Sequence, residues 1–90
     1  MNYYTLITKR DCPFCQKALK LLEEKEKQFI YTDMQYCGPA LEVIKLQAAH
    51  KTVPMIWEIS FSGQLKENSQ PIKNDFIGGY EELVRHLEEK

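Results

Sequence analysis

The sequence predicts an α/β domain of order βαβαββα, a four-stranded mixed sheet flanked by three helices. Three observations carry this. Runs of β-branched and aromatic residues alternate along the chain with segments whose apolar residues recur at helical spacing. Most changes of pattern fall at a Pro, a Gly or a capping Asp. The first two strand-like runs flank a helix, as a parallel crossover requires, whereas the last two are close enough for a hairpin. Ninety residues suit a single domain, 1–90, with one modest core.

Residues Tyr3 to Thr8 (YYTLIT) contain no breaker and read as a buried strand. Asp11 offers an N-cap, and Pro13 suits the first helical turn, where its missing N–H costs nothing. Cys15, Ala18, Leu19 and Leu22 then fall at i, i+3, i+4 and i+7, predicting a helix to about Lys27. Gln28 to Asp33 read as a second strand. Cys37 to Ala40 (CGPA) turn into a second helix that reaches His50, with His50 and His86 both placed on helices as surface residues. Val53 to Phe61 form a third strand with Pro54 near its start, and Trp57 and Phe61 cover the core or sheet. A polar loop follows to Gln70, then a fourth strand from Pro71 to Ile77. Gly78-Gly79 breaks it, and Tyr80, Leu83, Val84 and Leu87 repeat the helical spacing.

Composition excludes several classes. The chain is 43% hydrophobic and 28% charged with a formal net charge of −1, unlike a general nucleic-acid binder or a disordered acidic tail. No segment approaches the length of a membrane span. The first apolar run, Tyr3 to Ile7, is too short for a signal peptide, so a cytoplasmic location is expected. Charge is uneven: Lys9, Arg10, Lys17 and Lys20 surround two cysteines with Asp11 as the one nearby acid. In a reducing compartment the pair Cys12-Pro13-Phe14-Cys15 is better suited to catalysis or metal binding than to a permanent staple.

Three motifs now align: CPFC after the first strand, TVP at Thr52 to Pro54 before the third, and GGYEEL at Gly78 to Leu83 opening the last helix. Together they resemble the glutaredoxins, with the thioredoxin-like fold. YCGPA at Tyr36 to Ala40 mimics part of a thioredoxin motif but lacks its second cysteine. The resemblance implies that Cys12 is the nucleophile, that Cys15 resolves its mixed disulfides, and that the two form a redox-active disulfide. It implies a cis bond before Pro54 and a glutathione site. In that site, bordered by Thr52, Pro54 and Gly79, the Val53 backbone pairs with the cysteinyl part, and the N–H groups of Tyr80 and Glu81 take the γ-glutamyl carboxylate. Lys9 takes the glycyl carboxylate, Lys51 assists, and Phe14 forms an aromatic wall or packs into the core. Glu81 stands where a smaller polar residue is common. The 23 residues between Pro54 and Gly78 are about twice the family's hairpin length, an extension that suits either a longer sheet or a docking tip.

The chemistry fits these places. A thiolate, not a thiol, attacks a disulfide, and free cysteine is only about 3% ionised at pH 7. The amino end of a helix stabilises an anion, and Lys9, Arg10 and Lys17 add to that field. Nucleophilicity falls as a thiol becomes more acidic, so the benefit lies more in release of Cys12 than in attack. Cys15, one turn on, faces the apolar side and is expected to wait as a thiol. A zinc site would need two more ligands, and Cys37, His50 and His86 lack the spacing. Gln16 excludes a haem-attachment motif.

The expected activity is glutathione-dependent reduction of protein disulfides and glutathione mixed disulfides. Glutathione is the co-substrate, no metal is expected, and the chain is expected to be a monomer. Disulfide-bearing proteins are the expected partners, with ribonucleotide reductase one candidate and neither nucleic acid nor membrane among them. The alternatives are a thioredoxin-like electron donor fed by a flavoprotein reductase and an iron–sulfur cluster carrier. Cys37 reads as a buried or semi-exposed turn thiol, with a glutathionylation or dimer-forming site the alternative.

Overall fold

The computed structural model describes residues 2–60 and 73–88. Its elements are β1 (Asn2–Thr8), α1 (Pro13–Glu24), β2 (Phe29–Asp33), α2 (Gly38–Ala48), β3 (Met55–Ser60), β4 (Lys73–Gly78) and α3 (Tyr80–Glu88). The order βαβαββα follows the sequence pattern. One mixed sheet runs β2-β1-β3-β4. β1 and β2 are parallel, with Tyr4 opposite Phe29, while β1–β3 and β3–β4 are antiparallel. The polar loop, Phe61 and the start of the expected fourth strand, Pro71 and Ile72, lie outside the described residues.

Alternation along β1 and β3 sends side chains to both faces of the sheet. On one face Tyr4, Leu6 and Ile56 meet Ala18 and Leu22 of α1 and Leu83 of α3. On the other, Met55, Ile7 and Trp57 meet Met34 and the inner side of α2, Leu41 and Ile44. Trp57 is half-buried and its ring lies 5.1 Å from that of Phe76 on β4. One buried charge sits in this frame. Glu58 accepts from Asn2 Nδ2 and from the Tyr4 hydroxyl at 3.3 Å. His86 Nε2 comes within 3.4 Å of Glu58 Oε1 without an aligned hydrogen bond.

Three helix boundaries differ from the sequence reading, each for a local reason; in the sheet, β3 starts at Met55 rather than Val53, after Pro54, and β4 runs on to Gly78 rather than ending at Ile77. The N-cap of α1 is Cys12, not Asp11: Cys12 is extended (φ −106°, ψ 107°) and its sulfur accepts the Cys15 N–H, the task of a capping oxygen. Asp11 instead receives Gln35 Nε2 at 3.3 Å. Helix α1 stops at Glu24 rather than near Lys27. Glu26 takes the left-handed conformation (φ 57°), so Lys27 N–H reaches Leu22 O and Glu26 N–H reaches Glu23 O. These two bonds make a Schellman ending without glycine.

Helix α2 ends the same way. Ala49 is left-handed (φ 52°), His50 N–H bonds to Lys45 O and Ala49 N–H to Leu46 O. His50 therefore stands beyond the helix rather than on it, and is half-buried rather than a surface residue. Among the described residues, no helix is long and apolar enough to cross a membrane.

Candidate active site

The ends of β1, α1, α2 and α3 bring the three sequence motifs together. Pro13 opens α1, and the turn before it leaves Cys12 at the helix end. The Cys12 sulfur lies 3.3 Å from the Cys15 amide nitrogen and 3.5 Å from the Val53 carbonyl oxygen. As a thiol it donates to Val53. As an anion it can no longer donate, but it still receives the Cys15 N–H, a donor suited to a negative sulfur. All three cysteines are free thiols.

Cys15 is fully buried. Burial, and then its hydrogen bond with Cys12, push its thiol up to about 12, against the opposing bond from the Lys9 backbone. The two sulfurs thus have different surroundings: one lies half-exposed at a helix end beside a main-chain donor, the other inside the apolar layer.

The loop before β3 comes next. The Val53–Pro54 bond is cis. Thr52, Val53 and Pro54 form one wall of a cleft of about 240 Å³. Gly79, Tyr80 and Glu81, at the start of α3, form another. Phe14 stands at its edge, half-exposed, its ring 6.1 Å from that of Tyr80. It is therefore a wall of the cleft and not part of the core.

The glycine pair shapes the helix start. Gly78 has φ +122°, a conformation closed to most residues with a Cβ. Gly79 N–H donates to Glu82 Oε1 at 3.0 Å, a side chain reaching back from the third helical position to the cap.

Two expected ligand residues do not line the cleft. Lys9 borders a separate hollow of about 330 Å³ beside Cys15, with Gln16, Tyr31 and Asp33. Lys51 borders another at the end of α2. Both follow from where the chain turns: Lys9 precedes the cap of α1, and Lys51 follows the left-handed exit of α2. The positive field expected around Cys12 is likewise partly engaged elsewhere. Arg10 pairs with Asp33 at 2.6 Å and lies over the Tyr36 ring. The Gln35 backbone N–H and then Arg10 hold the Asp33 carboxyl below its usual range. Lys17 sits 5.2 Å from the Phe14 ring centroid.

Two residues outside the expected ligand set also line the cleft, His50 and Glu82. The His50 ring packs edge-on against Phe76 at 5.5 Å, and its Nε2 is 3.4 Å from Thr52 Oγ1. Glu82 could have been found from its place three residues after Gly79, a capping-box spacing. His50 carried no such signal, because the turn that delivers it is made by an alanine. Cys37, exposed at the start of α2, makes no side-chain cap. Among the described residues, no three His, Cys, Asp or Glu side chains cluster as metal ligands.

Comparison with known proteins agrees with this architecture. Glutaredoxin 1 from Francisella tularensis, solved in complex with cacodylate, superposes with a TM-score of 0.69 at 21% identity, covering 99% of this chain and 95% of that one. At that identity the match speaks for the fold. No curated protein is a significant sequence match. The glutaredoxin family model matches residues 4–59, which include the cysteine pair, the cis proline and three of the four strands. The chain belongs to the glutaredoxin family of thiol–disulfide oxidoreductases.

Proposed function

We propose that the protein is a glutathione-dependent thiol–disulfide oxidoreductase in which Cys12 attacks and Cys15 resolves. The observation that carries this is the placement of the Cys12 sulfur between the Cys15 N–H and the Val53 carbonyl, at 3.3 and 3.5 Å, beside the cleft.

The Cys12 thiolate attacks one sulfur of a substrate disulfide. A bond forms to Cys12, and the other sulfur leaves as a thiolate that takes a proton from water. A protein disulfide is then completed by Cys15, which loses its proton, attacks the Cys12 sulfur and expels the second substrate thiol. Glutathione reduces the resulting Cys12–Cys15 disulfide in two steps, leaving as glutathione disulfide. For a glutathione mixed disulfide, Cys12 alone suffices: it takes the glutathionyl group, and a second glutathione removes it.

The cleft supports glutathione as the ligand. The backbone of Val53 can pair with the cysteinyl unit as an added strand. The amides of Tyr80 and Glu81 at the α3 end suit a carboxylate. Phe14 and Tyr80 supply apolar walls, and Gly79 has no side chain to keep a ligand from the main chain. Lys9 and Lys51 act from the flanks rather than as lining groups. A monomeric, cytoplasmic enzyme that reduces protein disulfides is the corresponding biological reading.

The test is reduction of a small glutathione mixed disulfide, driven either by glutathione with glutathione reductase or by thioredoxin reductase alone. Turnover with glutathione only is expected. Turnover with thioredoxin reductase only would overturn the glutathione assignment. C12S should lose activity at least about a hundredfold, whereas C15S should retain reduction of the small mixed disulfide.

A further inference from the structure

Helix α2 has two apolar sides, and among the described residues only one has a partner. Leu41, Ile44 and Ala48 pack inward against Met55 and Trp57. Val43 and Leu46, one turn apart on the opposite side, are 54% and 80% exposed. Together they form a small exposed aliphatic pair on the side of α2 turned away from the core. Beside Leu46 lies a hollow of about 390 Å³, lined also by Ala49, His50 and Lys51. His50 is the hinge of the argument, because it lines both this hollow and the cleft. The two surfaces are continuous across one imidazole.

Charge narrows the occupant. Within the hollow Lys45 is paired with Glu42 at 3.5 Å. Lys51 has no carboxylate partner among the described residues. A ligand that lays an apolar side chain on Leu46 therefore meets one unneutralised cation beside it.

We infer that the outer face of α2 is the docking surface for protein substrates. It receives a segment of the disulfide-bearing polypeptide that carries a large apolar residue next to an acidic one. The inference rests on the proposed function for the placement of the substrate cysteine at Cys12. From there the substrate chain crosses His50, sets its apolar residue against Leu46 and Val43, and brings its carboxylate to Lys51. Glutathione occupies the cleft with Lys51 at its flank, and does not reach Leu46 or Val43. The surface would separate protein substrates from small ones and choose among proteins.

The test uses ten-residue peptides with one cysteine glutathionylated, carrying Leu-Asp or Ser-Ser at successive distances from it. The wild-type protein should reduce the Leu-Asp peptide at the matching distance about tenfold faster in kcat/KM than the Ser-Ser peptide, the size that half-burying one leucine gives. L46D should remove that preference and leave a small glutathione mixed disulfide unaffected. L46K should be less damaging than L46D toward the acidic peptide. Leu46 is exposed, so neither variant threatens folding. No preference in the wild type, or equal losses on small and peptide substrates, would overturn the inference. So would concentration-dependent self-association that L46D abolishes, because a second copy would then own the face. If no substrate turns over with glutathione, the proposed function fails by itself. The surface is then read by amide shifts at Val43, Leu46 and Lys51 on titrating the cysteine-to-serine Leu-Asp peptide. Shifts there support the docking face and their absence overturns it.

Discussion

Gly78→Ala tests how the start of α3 is built. A Cβ at position 78 would stand 2.8 Å from Glu82 Oε1 and 2.9 Å from Glu82 Cγ. The Glu82 side chain would have to leave, and its bond from the Gly79 N–H at 3.0 Å would be lost. Losing that cap costs about 0.5–2 kcal/mol. The backbone at φ +122° adds its own cost for any side chain, about 1–3 kcal/mol. The sum is roughly 1.5–5 kcal/mol, a large fraction of the stability of a small domain. Urea unfolding of wild type, G78A, E82A and the double variant separates the two parts. In the E82A background the cap is already gone, so G78A should cost about 1 kcal/mol less there than alone. A loss under about 0.5 kcal/mol for G78A, or strict additivity with E82A, would refute this construction.

Other outcomes follow from the same geometry. E26G relieves a left-handed non-glycine residue at the end of α1 and should raise stability by up to about 1 kcal/mol, or several degrees in Tm, by calorimetry. Alkaline pH should destabilise the fold. Cys15 is pushed up to about 12 by burial, and Tyr4 likewise to about 12 by burial and by Glu58. Above about pH 9 the unfolded chain releases these protons while the native state retains them, so stability falls as pH rises toward 12. The urea midpoint should drop over that window in the wild type, and Y4F with C15A should flatten the drop. H50A should raise KM for glutathione about three- to tenfold, the range of one lost hydrogen bond, in initial-rate kinetics.

The order of elements was legible because apolar periodicity switches cleanly between strand and helix along this chain. The CPFC, TVP and GGYEEL motifs led to the cleft because each lies at an element end that the topology brings to one place. Boundaries were harder. Both α1 and α2 finish in Schellman turns made by Glu26 and Ala49, where a reader of sequence looks for glycine. That choice hid the position of His50, which enters the cleft only because α2 stops short. Lys9 and Lys51 belong to the site by resemblance alone, and side-chain placement depends on the exact turn. Asp11 is the usual capping residue type, whereas a sulfur such as that of Cys12 rarely takes that role. The long segment between β3 and β4 falls on residues outside the described set.

Everything in the proposed chemistry depends on Cys12 being the reactive sulfur and Cys15 the protected one. The most direct measurement is the rate of alkylation at each cysteine at pH 7, resolved by mass spectrometry of the reduced protein. Cys37 serves as an internal reference, being an exposed thiol with no side-chain cap bond. Cys12 should react at least about tenfold faster than Cys37, and Cys15 should stay unmodified. Cys12 reacting no faster than Cys37, or Cys15 reacting as fast as Cys12, would contradict the account.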